Sequence, residues 1–191
     1  MILSGAYTCI ARADEIHRRI GYTGGAFPLR EFLRTEPTFE LRAAPPGVLP
    51  EGADAAMRRD SAGALVLYNP RAPVQRIRFT IAHEIGHALL HHAGEHRRAP
   101  RRALPPREAK REDQADLFAA ELLMPAWAID RALPTDWREH GGAAVDFERQ
   151  VRRLAALFRV SRAAMRIQLE HYLHLRETSL GLRAGAVEHL R

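Results

Sequence analysis

The chain has 191 residues, of which 46% are hydrophobic and 27% charged, and its formal net charge is +6. This composition is ordinary for a soluble globular protein, and the length suffices for one domain with a core of its own. No stretch approaches the roughly 18–20 apolar residues of a membrane span, and the single cysteine, Cys9, excludes both an intramolecular disulfide and a thiolate zinc cluster.

The first third of the chain predicts two short helices and two strands around a loop rich in proline and glycine. The clearest of these elements is the strand at 64–68, because it is short, apolar and bounded by Gly63 and Asn69. A weaker strand upstream can pair with it. In chain order, we predict helices at 10–20 and 28–34, a strand at 38–42, a loop at 43–52 and the strand at 64–68.

The remainder of the chain predicts helices, separated by a basic loop that contains proline. Helical periodicity and stop signals place them at 76–92, 108–123, 147–158 and 161–175, with the basic loop at 93–107. A basic surface permits binding to nucleic acid, but we favour a solvated arginine-rich surface, because charge alone does not define a site.

The third predicted helix carries His83-Glu84-Ile85-Gly86-His87, an H-E-x-x-H motif. Residues four apart on a helix project from one face, so both imidazoles suit two ligands of a tetrahedral zinc ion. Glu84 lies about 100° around the helix from His83, where it can take a proton from a water molecule at the metal. Gly86 costs roughly 1 kcal/mol relative to alanine inside a helix, which indicates that another backbone packs closely there.

A catalytic zinc site usually has three protein ligands and one open position, so a third donor must come from elsewhere in the chain. Glu112 lies near the start of the next long helix, and Asp116 follows on the same face. This spacing suits a ligand carboxylate and a second carboxylate that accepts the outer N–H of a ligand histidine. Three other carboxylates compete for the place of third ligand: Glu108, Asp113 and Glu121.

Other histidines do not complete this site. The metzincin pattern is excluded, because Leu90 and Ala93 stand where it requires a glycine and a final histidine. His91 continues the metal face but lies about 12 Å of helix rise from His83, so it cannot close the same site. His91 and His92 are typical of surface or outer positions, and His96 and His140 are loop candidates for stabilising an oxyanion.

Two segments together resemble the ImmA/IrrE family of metallopeptidases: RFTIAHEIGHALLHH at 78–92 and EDQADLFAAELLMP at 112–125. In that family a similar Arg-Phe-Thr-x-Ala segment precedes the H-E-x-x-H helix. The next helix carries E-x-x-A-[N/D]-x-F-A-A-x-L-L-M-P. The resemblance implies that Glu112 is the third ligand and that Asp116 supports a ligand histidine.

The resemblance also implies an α+β fold with a thermolysin-like, gluzincin-like core. A small sheet would pack on the H-E-x-x-H helix, and its edge strand would present the substrate chain. Family members typically cut a helix-turn-helix repressor encoded nearby, which derepresses a mobile element, a phage programme or a damage response. The implied activity is therefore that of a zinc-dependent, site-specific endopeptidase.

The C-terminal helices are similar to the helical segment that follows the peptidase core in this family, and they have a helix-turn-helix pattern. Ser161 is a good N-cap, whereas Arg159 stands where such a turn commonly has glycine. We favour a helical bundle that packs on the peptidase or recruits the repressor over binding to DNA. Four arginines could contact phosphates or a partner: Arg152, Arg153, Arg162 and Arg166.

We therefore divide the chain into a zincin-like domain at 1–135, a helix-turn-helix-like segment at 145–178 and a tail at 179–191 that can be disordered. The N-terminus lacks a basic start and a long apolar run, so we expect no secretory signal and a cytoplasmic protein without membrane contact. Manganese or iron(II) can replace zinc at a His₂-Glu site. Two alternatives remain open: a non-catalytic repressor- or DNA-binding regulator with a vestigial metal site, and a toxin–antitoxin-like partner.

Overall fold

The computed structural model describes residues 2–36, 38–49, 52–59, 63–90, 104–140 and 144–188. Within these ranges the chain forms eight helices and three strands, so the fold is α+β, as predicted. In chain order the elements are α1 (Ile2–Ile20), α2 (Leu29–Thr35), β1 (Phe39–Ala43), β2 (Ala55–Arg59), β3 (Ala64–Tyr68), α3 (Val74–Leu89), α4 (Pro106–Leu123), α5 (Ala126–Ala132), α6 (Thr135–His140), α7 (Ala144–Phe158) and α8 (Arg162–Glu188).

The three strands form one sheet in the order β1-β3-β2. β3 lies in the centre because its apolar side chains are the most buried of the sheet, with Val66 fully enclosed. β1 runs parallel to β3, which confirms the predicted pairing of these two strands, and β2 runs antiparallel to β3 on the other side. Sequence reasoning missed β2.

Gly63 allows β1 and β3 to approach closely where the two strands begin. Its φ of 155° and its surroundings both favour glycine, because a Cβ here would lie 2.6 Å from the carbonyl oxygen of Thr38. The amide of the next residue, Ala64, donates a hydrogen bond of 2.7 Å to that same oxygen. Gly63, which marked the start of β3 in the sequence, is therefore needed because the backbone of Thr38 leaves no room for a Cβ.

α3 and α4 form the centre of the fold. α3 packs against β2, β3 and α4, and α1 also packs against α4. One hydrophobic cluster joins these elements, and its largest fully buried side chains include Phe27, Phe32, Ile85, Phe118, Leu122 and Ile129. The two helices that carry the predicted metal ligands are therefore held by the core itself.

α7 and α8 pack on the same core rather than standing apart. Leu154 and Leu169 are fully buried members of the cluster that contains Phe118. Gln168 donates hydrogen bonds of 2.8 Å to Glu121 and 3.1 Å to the carbonyl oxygen of Met124, at the end of α4. The predicted boundary between a domain at 1–135 and a segment at 145–178 thus crosses a shared core.

The C-terminal helix is longer than predicted. α8 continues to Glu188, although we expected a tail from residue 179 onward. Leucine, alanine, arginine and glutamate dominate the stretch 175–188, and their helix propensity sustains a helix without an amphipathic period. Residues 189–191 lie outside the described residues.

Three further helices differ from the prediction. α1 begins at Ile2 instead of residue 10, and α5 and α6 were missed. Pro125 and Pro134 immediately precede these two short helices. Proline can start a helix as well as end one, because it has no N–H to satisfy in the first turn. None of the helices in the described ranges has the length and apolarity needed to cross a membrane.

Candidate metal centre

α3 is amphipathic in the sense that the H-E-x-x-H motif requires. Ile81 and Ile85 point into the core and are at most 3% exposed. His83 and His87 lie one turn apart on the side that faces α4, and His87 is completely buried. The helix therefore holds two imidazoles against the neighbouring helix, in an environment largely shielded from solvent.

Gly86 lies where α3 and α4 approach most closely beside the two histidines. A Cβ on Gly86 would come within 2.9 Å of the Phe118 ring and 3.3 Å of the Cα and carbonyl oxygen of Ala115. The neighbouring backbone that the sequence predicted for this glycine is thus the backbone of α4. The close approach brings the carboxylates of α4 within reach of the histidines on α3.

We expect Gly86→Ala to destabilise the protein by up to about 2 kcal/mol. Overpacking against the buried Phe118 ring and the Ala115 backbone costs about 1–3 kcal/mol, and the better helix propensity of alanine offsets about 1 kcal/mol of it. Urea unfolding of the two proteins measures the difference. Gly5→Ala in α1 is the matched control, because its Cβ would meet only the movable side chain of Gln114. A Gly86→Ala variant that is more stable than the parent by about 1 kcal/mol, the full gain in helix propensity, would contradict the close packing.

Three side chains from the two helices converge on one point. The Nε2 atoms of His83 and His87 lie 2.9 Å apart. Each of them lies 3.3 Å from a different carboxylate oxygen of Glu112. Within the described part of the chain, His83, His87 and Glu112 form the group of potential ligands whose donor atoms all lie within 4.8 Å of one another.

The donor set fits a divalent transition metal. Bonds of about 2.0–2.1 Å in a tetrahedron place the donor atoms about 3.3 Å apart, and the observed separations are 2.9 and 3.3 Å. Two imidazoles and one carboxylate are the ligand types of a catalytic zinc site with an open position. The spacing and the chemistry of the donors can therefore hold such an ion without a large rearrangement.

Asp116 fixes the orientation of one imidazole. The Nδ1 atom of His83 donates a hydrogen bond of 2.7 Å to Oδ1 of Asp116, which lies one turn after Glu112 on α4. With the proton on Nδ1, the lone pair of the neutral ring is on Nε2, the atom that points to Glu112 and His87. The arrangement is the one predicted for this carboxylate.

The electrostatics of the group favour a cation at its centre. Burial lowers the pKa of His83, but hydrogen bonds to Asp116 and Glu112 outweigh this effect and raise it to about 9. Burial lowers the pKa of His87. Burial raises the pKa of Glu112, yet the two histidines outweigh it and hold that pKa well below its usual range. Two carboxylates thus stabilise positive charge between the helices.

Glu84 lies beside this group. Only 6% of the residue is exposed, and its charge contributes to the raised pKa of His83, so the carboxylate lies close enough to influence the imidazole. It follows His83 directly on α3, about 100° around the helix axis. The structure therefore places a third carboxylate next to the donor group, in addition to Glu112 and Asp116, without making it a member of that group.

A comparison with protein families finds a match to Peptidase M78, described as an IrrE N-terminal-like domain, over residues 48–170. The match covers more than half of the chain and spans both helices of the donor group. The chain belongs to this family. A search of curated proteins finds no match. The protein is thus a member of a peptidase family, and His83, His87 and Glu112 are its candidate metal-binding group.

The other ligands that the sequence left open do not join this group. Glu108 and Asp113 are exposed on α4, and Glu121 lies at the far end of the helix, where Gln168 donates to it. His91, His92 and His96 lie outside the described residues, and so does the side chain of His140.

Two of the four arginines of the C-terminal helices contact other groups of the protein. Arg153 donates to Gln150 and to the carbonyl oxygen of Ala132, at 2.8 and 2.6 Å. Arg166 forms an ion pair with Glu148. Arg152 and Arg162 are exposed. Two of the four predicted contact residues are thus engaged in holding the helices together.

Ser161 caps α8 as predicted, because its Oγ accepts a hydrogen bond of 3.1 Å from the amide of Ala164.

Sequence reasoning missed an ion pair that anchors the edge strand β2. The guanidinium of Arg76, near the start of α3, donates to both carboxylate oxygens of Asp54 at 2.7 and 2.8 Å. Asp54 precedes β2 and is only 6% exposed. This bidentate contact fixes the start of β2 beside α3. The sequence signal is weak, because the partners are far apart in the chain and neither belongs to a motif.

Proposed function

We propose that this protein is a zinc-dependent endopeptidase with a thermolysin-like core, in which His83, His87 and Glu112 bind the metal and Glu84 is the general base. The observation that carries the proposal is the convergence of two Nε2 atoms and one carboxylate within 4.8 Å, with the buried Glu84 beside them. Membership of a peptidase family supports the same chemistry.

A divalent metal held by these ligands supplies Lewis acidity, which polarises a carbonyl group and makes water easier to deprotonate. Glu84 takes the proton of the attacking water and later delivers it to the leaving amine. Asp116 accepts a hydrogen bond from the Nδ1 proton of His83, so that Nε2 is the atom that offers its lone pair once the ring is neutral.

The substrate chain would bind along β2 as an added strand. In the described ranges β2 pairs with β3 alone, so its other edge can accept the backbone hydrogen bonds of an extended peptide. β2 lies against α3 and is anchored by the pair Asp54–Arg76, so a peptide bound there would lie near the helix that carries Glu84. We propose a helix-turn-helix repressor as the substrate, on the resemblance stated above.

Asp116→Asn is expected to weaken metal binding about 10–100-fold, the usual effect of removing the partner of a ligand histidine. An amide can still accept a hydrogen bond from Nδ1, but it lacks the charge that stabilises the imidazole at the site. Competition with a chelating dye measures the affinity. Asp113→Asn on the same helix is the control and should bind metal as the parent does. Unchanged affinity in the Asp116→Asn variant would assign this carboxylate a role other than support of the ligand.

Metal binding is expected to release about one proton per ion at pH 7, and to weaken about tenfold for each pH unit from 8 to 7. The pKa of His83 is about 9, so its ring is protonated at neutral pH and must lose that proton to become a ligand. The lowered pKa values of His87 and Glu112 leave them in their ligand forms already. Calorimetry in two buffers of different ionisation enthalpy counts the protons. Binding that is independent of pH in this window would contradict the proposal.

The test of the function is a cleavage assay on a helix-turn-helix repressor, chosen from genes that lie beside this one, with zinc-loaded and with manganese-loaded protein. A single metal-dependent cut that is absent with Glu84→Gln supports both the enzyme class and the substrate. A repressor that binds tightly to protein with one equivalent of metal but remains intact would favour the binding-only regulator. The same outcome fits a toxin–antitoxin-like partner, and DNA-binding measurements on the complex separate the two.

A further inference from the structure

A cavity lies on the side of α3 that faces away from the candidate metal centre. Its volume is about 580 Å³, within the range of small-molecule binding sites. Its α3 residues are Val74, Ile77, Arg78 and Ile81. At 100° per residue they project from the side of the helix roughly opposite His83. The proposed peptidase chemistry does not use this cavity.

The walls of the cavity are largely apolar. α2 and the segment before it form one wall, α3 forms a second, and β1 and the end of β3 close a third. These surfaces suit the hydrocarbon part of a ligand. The apolar lining residues include Phe27, Leu29, Leu41, Ile77 and Ile81.

The charged groups of the cavity are predominantly positive. Arg30, Arg78 and Arg159 line it, against a single glutamate, Glu31. Arg78 donates a hydrogen bond of 2.8 Å to the carbonyl oxygen of Phe27. Among the described residues, neither Arg78 nor Arg159 forms an ion pair with a carboxylate. Burial lowers the pKa of Arg78, and the neighbouring charge of Arg159 lowers it further. An anion in the cavity would relieve this repulsion.

Arg159 occupies a backbone conformation that normally selects glycine. Its φ is 55°, and no other described non-glycine residue has a positive φ. It ends α7, where the amides of Arg159 and Val160 donate to the carbonyl oxygens of Ala156 and Ala155. Helices commonly end in this way at a left-handed residue, usually glycine. The backbone of Arg159 is therefore strained, and its side chain lines the cavity near Arg78. Strain of this kind concentrates at functional sites.

We propose that this cavity binds a small organic anion with an apolar body. The head group, a carboxylate or a phosphate ester, would lie between Arg78 and Arg159, and the body would pack on Phe27, Leu41 and Ile77. Two guanidinium groups without a carboxylate partner provide the charge-assisted hydrogen bonds for the head group. The apolar walls exclude a ligand that is charged throughout.

The experiment compares three probes by isothermal titration of the metal-loaded protein at about 0.15 M salt, where long-range charge effects are screened. Octanoate has both a charged head group and an apolar body. Octanol has only the apolar body, and inorganic phosphate has only the charge. We expect octanoate to bind with a stoichiometry of one, at least tenfold more tightly than either of the others. Equal affinity for octanol or for phosphate would overturn the proposal, and so would absence of octanoate binding.

Arg159→Gly is the decisive variant, because glycine relieves the backbone strain while it removes the charge. We expect its thermal stability to be equal to or higher than that of the parent and its octanoate affinity to fall at least tenfold. The control is Arg162→Ala, which removes an exposed arginine of α8 that does not line the cavity. Unchanged affinity in Arg159→Gly would place octanoate elsewhere, for example on the metal, and would overturn the proposal. An equal loss in Arg162→Ala would also overturn it.

Discussion

Glu84→Gln is expected to lower the rate of peptide hydrolysis about 10²–10⁴-fold, the usual contribution of a general base, while metal remains bound. Glutamine has nearly the shape of glutamate but cannot accept a proton at neutral pH. Glu84 lies beside the donor group without being part of it, so the three proposed ligands are untouched. Hydrolysis of the repressor and metal content are measured on the same preparation.

The control for this substitution is Glu108→Gln, which removes an exposed carboxylate of α4 outside the donor group. It should retain both metal and activity. Full activity of the Glu84→Gln variant would assign proton transfer to another residue. Loss of metal from that variant would instead show that Glu84 supports the site structurally, and the rate would then carry no information about proton transfer.

The histidine pair was predictable because its geometry is local. Helical spacing alone places His83 and His87 on one face, and the glycine between them already indicated a close neighbour. The third ligand could not be chosen from local geometry, because Glu108, Asp113 and Glu121 lie on α4 as Glu112 does. Their rejection depends on how α4 turns against Gly86, which is a tertiary contact that no local pattern contains. The family resemblance supplied that choice at the sequence level.

β2 could not be predicted for a related reason. Its sequence, AAMRR, has neither alternation nor β-branched residues, so no strand propensity distinguishes it. The strand exists because its backbone pairs with β3 from Ala55 to Arg59 and because Arg76 holds Asp54 at its start. Both contacts join residues that are distant in the sequence. A strand that would bind the substrate is thus specified by its partners rather than by its own residues.

The turn before α8 shows the opposite case, in which a departure from a pattern was visible in the sequence. Arg159 stands where glycine is common, and this weakened the DNA-binding interpretation. The structure shows that the backbone still adopts the left-handed conformation, with arginine in place of glycine. What the sequence could not reveal is that this side chain lies near Arg78, because the two residues are 81 positions apart and meet only in the folded chain.

Glu112→Gln is expected to weaken metal binding by more than the roughly 100-fold upper effect of an outer residue, because it removes a ligand and its charge together. The carboxylate lies 3.3 Å from both Nε2 atoms and is ionised, since its pKa is held well below the usual range. A neutral amide can offer an oxygen to the metal, but it cannot balance the positive charge of the ion between two imidazoles.

Metal affinity and hydrolysis should therefore fall together in Glu112→Gln, whereas they separate in Glu84→Gln. The comparison is informative because both variants exchange a carboxylate for an amide of the same shape, on neighbouring helices. Dye competition gives the affinity, and Glu108→Gln again provides the matched control on α4. If Glu112→Gln kept the affinity of the parent, the third ligand would have to be another group, and the convergence of His83, His87 and Glu112 would be an ion pair of the metal-free protein alone.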